Sequence, residues 1–184
     1  MTDHRLVKLS KFLALILRHQ PERFALEVDE EGWASLSEVI EIVRGLPNFR
    51  WATRADVMAL VEQEAGDGKR RFQVEGGRIR ARYGHSIAQP VRYEPCTPPP
   101  TLYHSTSPDA LQIIRREGLR PMGRQYVHLS PDPEVAVSVG ARHDERPVVA
   151  VRAAAAHAAG IQFYQADEAV YLAREIPPEF VESD

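Results

Sequence analysis

The stretch PVRYEPCTPPP, residues 90–100, divides the sequence into two parts. It holds five of the 14 prolines in a chain of 184 residues. Proline removes a backbone donor and fixes φ, so the stretch favours an extended linker over a helix or a central strand. We therefore expect two small domains, residues 1–89 and 101–184, joined by residues 90–100.

The part before the linker begins with an amphipathic helix. Apolar residues recur at helical spacing from Leu6 to Leu17, and Pro21 ends the helix. Leu26 and Val28 then indicate a short strand.

Two more helices and a hairpin follow. Ser35, three residues before Glu38, forms a capping-box pattern, and Thr53 caps the next helix. Gly76-Gly77 joins two short alternating segments into a hairpin. Helix, strand, two helices and hairpin is the order of a winged helix. Such modules usually bind nucleic acid, but they also serve as plain protein contacts.

The part after the linker mixes short strands and helices without a regular alternation. A helix is predicted from Pro108 to Glu117, with Gly118 as its C-cap. A second helix is predicted around residues 135–139. Strands are predicted at residues 102–104, 127–129, 148–151 and 169–173. This pattern indicates an α+β fold.

Composition excludes several classes of protein. The net charge is −3, and no apolar run approaches the length of a membrane span. The single cysteine, Cys96, cannot form an internal disulfide, which fits a cytoplasmic protein. No Cys/His or carboxylate set has metal-ligand spacing, so we expect no metal. We also expect a monomer.

The charge is unevenly distributed. Residues 1–93 carry 15 Lys and Arg against 13 Asp and Glu, whereas residues 94–184 carry 8 against 13. A local basic patch comprises Lys69, Arg70, Arg71, Arg78, Arg80 and Arg82. Such a patch is typical of a phosphate-binding surface, and the alternative is a solvated hairpin with charged outer positions.

An ordered series of motifs resembles the RNA 2′-phosphotransferase family across nearly the whole chain. Before the linker the series is residues 10–13 (SKFL), 16–19 (ILRH), 29–33 (DEEGW), 69–72 (KRRF), 79–81 (IRA) and 84–86 (GHS). After it the series is residues 102–106 (LYHST), 118–119 (GL), 122–124 (MGR), 127–130 (VHLS), 140–143 (GARH) and 170–172 (VYL).

The resemblance implies a winged-helix lobe followed by an ADP-ribosyltransferase-like lobe that binds NAD. It implies an NAD-dependent enzyme of RNA repair and tRNA splicing. The RNA 2′-phosphate attacks the nicotinamide ribose, giving a 2′-phospho-ADP-ribosylated RNA and nicotinamide. The ribose 2″-hydroxyl then attacks the phosphate, and the products are 2′-hydroxyl RNA and ADP-ribose 1″,2″-cyclic phosphate.

The resemblance also assigns the catalytic side chains to Arg18, His19, Arg71 and Arg124. Guanidinium groups bind phosphate oxygens in a bidentate manner, and an imidazole can protonate a leaving oxygen. Apart from the resemblance, Arg18 and His19 would be exposed residues that complement the dipole of a helix C-terminus.

The NAD-binding residues that the resemblance implies include two strand histidines. The set is His104, Thr106, His128, Ser130, Arg142 and Val170. Strand histidines are more often structural residues. His85 could be structural or functional.

The sequence departs from the family pattern in three places. The family usually has glycine where this chain has Ser105, and histidine where it has Tyr126. The family also has an Asn-Gly pair before a late Val-Trp, whereas this chain has 167–169 (DEA) before Val170-Tyr171.

Two alternative functions stay open. One is an enzyme that caps nucleic-acid phosphates with ADP-ribose and stops there. The other is a non-catalytic winged-helix regulator that senses NAD.

Overall fold

A computed structural model describes residues 4–63, 69–138 and 147–182. Over these ranges the fold is α+β, as predicted, with six α-helices and ten short strands. The chain divides into two compact units. The first holds the described residues of 1–65 and 70–92, and the second holds those of 66–69 and 93–184. Each unit has its own hydrophobic core.

The first unit contains three helices and a three-stranded antiparallel sheet with the strand order β1-β3-β2. Its elements are α1 (His4–Arg18), β1 (Trp33–Ser35), α2 (Leu36–Gly45), α3 (Arg54–Glu62), β2 (Phe72–Glu75) and β3 (Arg78–Ala81).

Local sequence signals explain most of these elements. The apolar stripe of α1 is fully buried at Leu9, Leu13 and Leu17. Thr53 and Asp56 form the reciprocal capping box that starts α3, so the backbone N–H groups of both residues are satisfied. Ser35 caps α2 by accepting a hydrogen bond from the Glu38 N–H.

The strand predicted at Leu26 and Val28 is wrong. Leu26 is buried in the core, and Val28 packs against it, but this segment pairs with no strand among the described residues. The strand begins instead at Trp33, which lies opposite Arg80 of β3. The Asp29 carboxylate accepts hydrogen bonds from the N–H groups of Glu31 and Trp33, and this tight turn sets the register.

The second unit contains two antiparallel sheets, with the strand orders β10-β7-β5 and β4-β8-β9-β6. Its strands are β4 (Pro95–Cys96), β5 (Leu102–Ser105), β6 (Val127–Leu129), β7 (Val148–Val151), β8 (Phe163–Asp167), β9 (Val170–Ala173) and β10 (Val181–Glu182). Its helices are α4 (Pro108–Glu117), α5 (Pro133–Ser138) and α6 (Ala153–Ala158).

Two features of this unit follow from proline and glycine. Strand β4 lies within the proline-rich stretch, where Pro95 is tolerated because β4 is the edge strand of its sheet. Gly118 ends α4 at φ +79°, and a Cβ there would lie 2.1 Å from the carbonyl oxygen of Ile176. Only glycine fits this close approach.

No helix in the described ranges is both long and apolar enough to cross a membrane.

Candidate functional site

The end of α1 places Arg18 and His19 outside the core of the first unit. The buried stripe of the helix stops at Leu17, and its last backbone hydrogen bonds join the N–H groups of His19 and Gln20 to the Leu15 carbonyl. Arg18 is therefore half-buried at the rim of the core, and the imidazole of His19 is exposed.

The guanidinium group of Arg18 lies against an aromatic wall. Its central carbon is 5.1 Å from the ring centre of Tyr83 and 5.9 Å from that of Phe72. Its Nη2 donates to the Arg71 carbonyl at 3.4 Å. Gly84 has φ +88°, and a Cβ there would lie 3.4 Å from Arg18 Nη1. These contacts hold a planar cation in one place, as phosphate recognition requires.

A serine hydroxyl fixes the ring of His19. Its Nδ1 lies 2.8 Å from Ser86 Oγ. The Ser86 N–H also donates to the Arg18 carbonyl at 2.9 Å, so the segment 84–86 binds to the end of α1 through backbone as well as side chain. The segment 84–86 thus contacts both Arg18 and His19.

His85, between these two contacts, is only 3% exposed. Burial, together with the smaller effect of the nearby charges of Arg18, His19 and Arg80, lowers its pKa to about 3. The imidazole of His85 is therefore neutral at physiological pH. Its burial favours the structural role.

Arg71 immediately precedes β2 and is half-buried. Its carbonyl accepts from Arg18 and also from the Arg82 N–H at 3.0 Å. Three of the four predicted catalytic residues, Arg18, His19 and Arg71, therefore come together within the first unit, although 52 positions separate His19 from Arg71 in the sequence.

Much of the basic patch is bonded within its own unit. Arg80 donates to Gln73 Oε1 through Nε and Nη2, at 3.0 and 2.8 Å, and to the Glu31 carbonyl at 3.2 Å. Arg78 pairs with Asp29 at 3.4 Å, with its side chain 51% exposed. Both guanidinium groups lie over the Trp33 ring, at 5.0 and 4.4 Å. These contacts differ from those of a simple solvated hairpin.

In the second unit, a hydrogen bond to a backbone carbonyl fixes the partly buried ring of His104. Its Nδ1 lies 2.8 Å from the His128 carbonyl. Since a carbonyl only accepts, Nδ1 carries the proton. Burial lowers the pKa of His104, the hydrogen bond opposes this, and the charge of Arg124 lowers the pKa further. His104 is therefore a neutral imidazole whose Nε2 is a hydrogen-bond acceptor.

Of the other predicted NAD-binding residues, Thr106 follows β5, Ser130 follows β6 and Val170 begins β9. Ser130 and Tyr103 exchange backbone hydrogen bonds of 2.8 and 2.9 Å, which joins the end of β6 to β5. Thr106 and Ser130 are buried, and Val170 is buried at the start of β9, the strand that pairs with β6. Arg142 lies outside the described residues.

Arg124 lies in a tight turn before β6. Its N–H donates to the Pro121 carbonyl at 3.0 Å. Within this turn Met122 has φ +53°, a conformation that non-glycine residues rarely adopt, and it is 90% exposed. Arg124 belongs to the second unit, as do His104 and His128, and its charge acts on His104.

The family model described as "RNA 2′-phosphotransferase, Tpt1 / KptA family" matches residues 4–175 of this chain. The chain belongs to this family. It is 45% identical over 183 residues to the "Probable RNA 2′-phosphotransferase" of Streptomyces coelicolor, covering 98% of this chain and 97% of that relative. A relative with the same name from Acetivibrio thermocellus is 39% identical over 175 residues, covering 95% of this chain and 94% of the relative.

The structure describes the surroundings of all three departures from the family pattern. Tyr126 packs edge-on against Tyr93 and Tyr164, with ring centres 5.5 Å apart in both pairs, and burial raises its pKa. Ser105 carries a buried hydroxyl without a hydrogen-bond partner among the described residues. Within 167–169, Asp167 ends β8 and the next two residues form the hairpin to β9.

One residue near the proposed catalytic histidine has no role that the sequence alone predicts. Ser86 lies 67 positions from His19, yet its side chain is the contact that orients the imidazole. The Gly-His-Ser motif is the signal that could have pointed to it. Motifs state which residues occur, whereas only the fold shows that this one meets the end of α1.

Proposed function

We propose that the protein removes an internal 2′-phosphate from RNA by transferring it to NAD, its co-substrate. The family supports the phosphotransferase reaction on RNA. In this proposal the first unit is a winged-helix, RNA-binding lobe, and the order of its elements supports that assignment. The second unit is an ADP-ribosyltransferase-like lobe that binds NAD.

The observation that carries the proposal is the fixed pair of Arg18 and His19. A guanidinium held against Tyr83 and an imidazole held by Ser86 adjoin each other at the end of one helix. A guanidinium binds a phosphate dianion through two parallel hydrogen bonds. An imidazole beside it supplies a proton where the chemistry needs one.

The first step makes one bond and breaks one. A 2′-phosphate oxygen attacks C1″ of the nicotinamide ribose, the glycosidic C–N bond breaks, and neutral nicotinamide leaves. The phosphate is already nucleophilic, and the nicotinamide already carries a positive charge. This step therefore depends on orientation more than on acid–base catalysis. We assign Arg18, Arg71 and Arg124 to the negative charge of the phosphate.

The second step needs an acid. The ribose 2″-hydroxyl releases its proton to solvent and attacks phosphorus, and the bond from phosphorus to the RNA 2′-oxygen breaks. We assign His19 to the protonation of that leaving oxygen, while the arginines stabilise charge on the other phosphate oxygens. The products are 2′-hydroxyl RNA and ADP-ribose 1″,2″-cyclic phosphate.

The histidine pair of the second unit fits NAD. The ribose groups of NAD carry hydroxyl donors, and His104 Nε2 is an acceptor because Nδ1 donates to the His128 carbonyl. We therefore assign His104 to a ribose hydroxyl. His128, Thr106, Ser130 and Val170 complete the proposed NAD-binding set, and Arg142 is kept in it from the sequence.

Incubating the purified protein with an RNA oligonucleotide that bears one internal 2′-phosphate tests the proposal. We expect loss of the phosphate and release of one nicotinamide per phosphate only when NAD is added, in buffer with or without a chelator. Equal loss of phosphate without NAD would contradict the role of NAD. A retained ADP-ribose conjugate would make the protein a capping enzyme, and no reaction would favour a regulator.

A further inference from the structure

The segment 84–86 has the geometry of a device for orienting one side chain. Its backbone is joined to α1 by the hydrogen bond from the Ser86 N–H to the Arg18 carbonyl at 2.9 Å. Its centre, His85, is buried. The hydrogen bond and the buried neighbour together anchor the Ser86 backbone, so its hydroxyl has a defined position relative to His19.

His19 needs such a partner. It follows the last residue of α1, and its ring is exposed, so core packing does not restrict the rotation of its side chain. The 2.8 Å contact between Nδ1 and Ser86 Oγ supplies that restriction. With Nδ1 engaged, Nε2 is the ring atom that can exchange a proton with a substrate.

The contact between His19 and the Ser86 hydroxyl can persist when the imidazole changes its protonation state. When His19 is protonated, Nδ1–H donates to Ser86 Oγ, and Nε2–H is the proton available for transfer. After transfer, the neutral ring keeps its proton on Nδ1, and the same hydrogen bond persists. The ring therefore keeps its orientation through the proton transfer.

We propose that Ser86 is a positioning residue for the second step, in which it orients His19 so that Nε2 delivers the proton to the leaving 2′-oxygen. This proposal rests on the proposed function, and it assigns Ser86 no contact with substrate. In this proposal Ser86 increases the rate of transesterification and does not change the rate of the attack on C1″.

Single-turnover kinetics with RNA radiolabelled at the 2′-phosphate and saturating NAD test this. Ser86→Ala should slow the decay of the phospho-ADP-ribosylated intermediate by about 10-fold, the typical effect of one lost hydrogen bond, so that the intermediate builds up. Its formation rate should stay within about 2-fold. Ser86→Thr, which keeps a hydroxyl, should restore fast decay.

The chain offers a matched control. Ser37 Oγ lies 2.9 Å from Ser35 Oγ, and this contact, like that of Ser86, joins two side chains at the surface of the first unit. Ser37→Ala should therefore show parental kinetics. In the double variant His19→Ala/Ser86→Ala, decay should be no slower than in His19→Ala alone, because the two residues act through one interaction.

The outcomes separate the two proposals. If the parental protein consumes no 2′-phosphate with NAD, both fail. If the parent is active, the positioning role alone is overturned by either of two results. In one, the intermediate decays in Ser86→Ala at the parental rate; in the other, Ser86→Ala slows both steps equally. A Ser86→Ala protein that unfolds while Ser37→Ala remains folded would make Ser86 structural and would also overturn it.

Discussion

A histidine is held through Nδ1 both at the end of α1 and between β5 and β6, but the two partners differ. His19 is exposed and meets the hydroxyl of Ser86, whereas His104 is partly buried and meets the carbonyl of His128. The exposed imidazole of His19 can gain and lose a proton at Nε2 while Nδ1–H keeps donating to that hydroxyl. A carbonyl accepts only, and burial keeps His104 neutral. The difference assigns proton transfer to His19 and ligand binding to His104.

The largest expected effect comes from removing the proton donor. His19→Ala should slow the second step by about 10²–10⁴-fold, the usual cost of losing a general acid, while the first step continues. Arg71→Ala should act in the same direction through lost charge stabilisation.

Gel mobility of radiolabelled RNA detects this effect. The intermediate should appear as a slower band that forms only with NAD and persists in both variants. Substrate loss and product release that slow equally, with no such band at any time, would show that neither residue acts in transesterification.

Replacing the histidine of the second unit, His104, should affect NAD binding and not the second chemical step. His104→Ala removes an acceptor for a ribose hydroxyl, so we expect the KM for NAD to rise about 10-fold, as one hydrogen bond allows. His104→Gln, which keeps an acceptor, should recover part of that loss. Because His104 transfers no proton, neither variant should accumulate the intermediate. Accumulation in His104→Ala would remove the distinction between the two histidines.

His85 extends the comparison to a histidine fixed by burial. Its pKa is about 3 in the folded protein against an ordinary 6.5, so the unfolded state binds the extra proton between these values. Its contribution to stability is present above pH 6.5 and is lost as the pH falls towards 3, by at most about 1.4 kcal/mol per pH unit.

Denaturant unfolding of the parent and of His85→Gln across this pH range isolates the contribution, because the carboxylates titrate in both proteins. The parent should lose more stability than the variant between pH 6.5 and 4.5. Parallel pH dependences would mean that His85 is accessible to protons in the folded state.

The smallest effect concerns the basic patch. We predict that the region 69–82 contacts RNA, and that Arg78→Gln and Arg80→Gln each reduce the salt dependence of RNA binding by roughly one phosphate contact. Arg78 is the better probe, because its side chain is 51% exposed, whereas Arg80 is held by Gln73 and Glu31. Binding titrations at several salt concentrations measure the slope, and an unchanged slope would limit both residues to supporting Trp33.

The sequence predicted the helices and the hairpin that are determined by residues close together in the chain. The apolar stripe predicted α1, the Gly76-Gly77 turn predicted the hairpin of β2 and β3, and α4 runs from Pro108 to Glu117 as expected. Strand pairing is not local. The sequence placed a strand at Leu26, but the edge of β3 is occupied by Trp33–Ser35, which the Asp29 turn brings into register.

Other elements and contacts lacked a readable signal. The sequence did not predict α6, which consists of alanines and one histidine without an amphipathic pattern, or β8 and β10, which are defined by their partner strands. The catalytic assignments came from the family resemblance. The structure adds how the side chains are held, as in the contacts of Ser86 with His19 and of His104 with the His128 carbonyl.

Tracing the phosphorus atom tests the central claim most directly. An RNA with a ³²P-labelled internal 2′-phosphate is converted fully with NAD, and the labelled products are separated. We predict that all of the label is recovered as ADP-ribose 1″,2″-cyclic phosphate, because the phosphate never leaves as a free ion. Label recovered as inorganic phosphate, or retained on the RNA as a final ADP-ribose conjugate, would contradict the transfer of the 2′-phosphate to NAD.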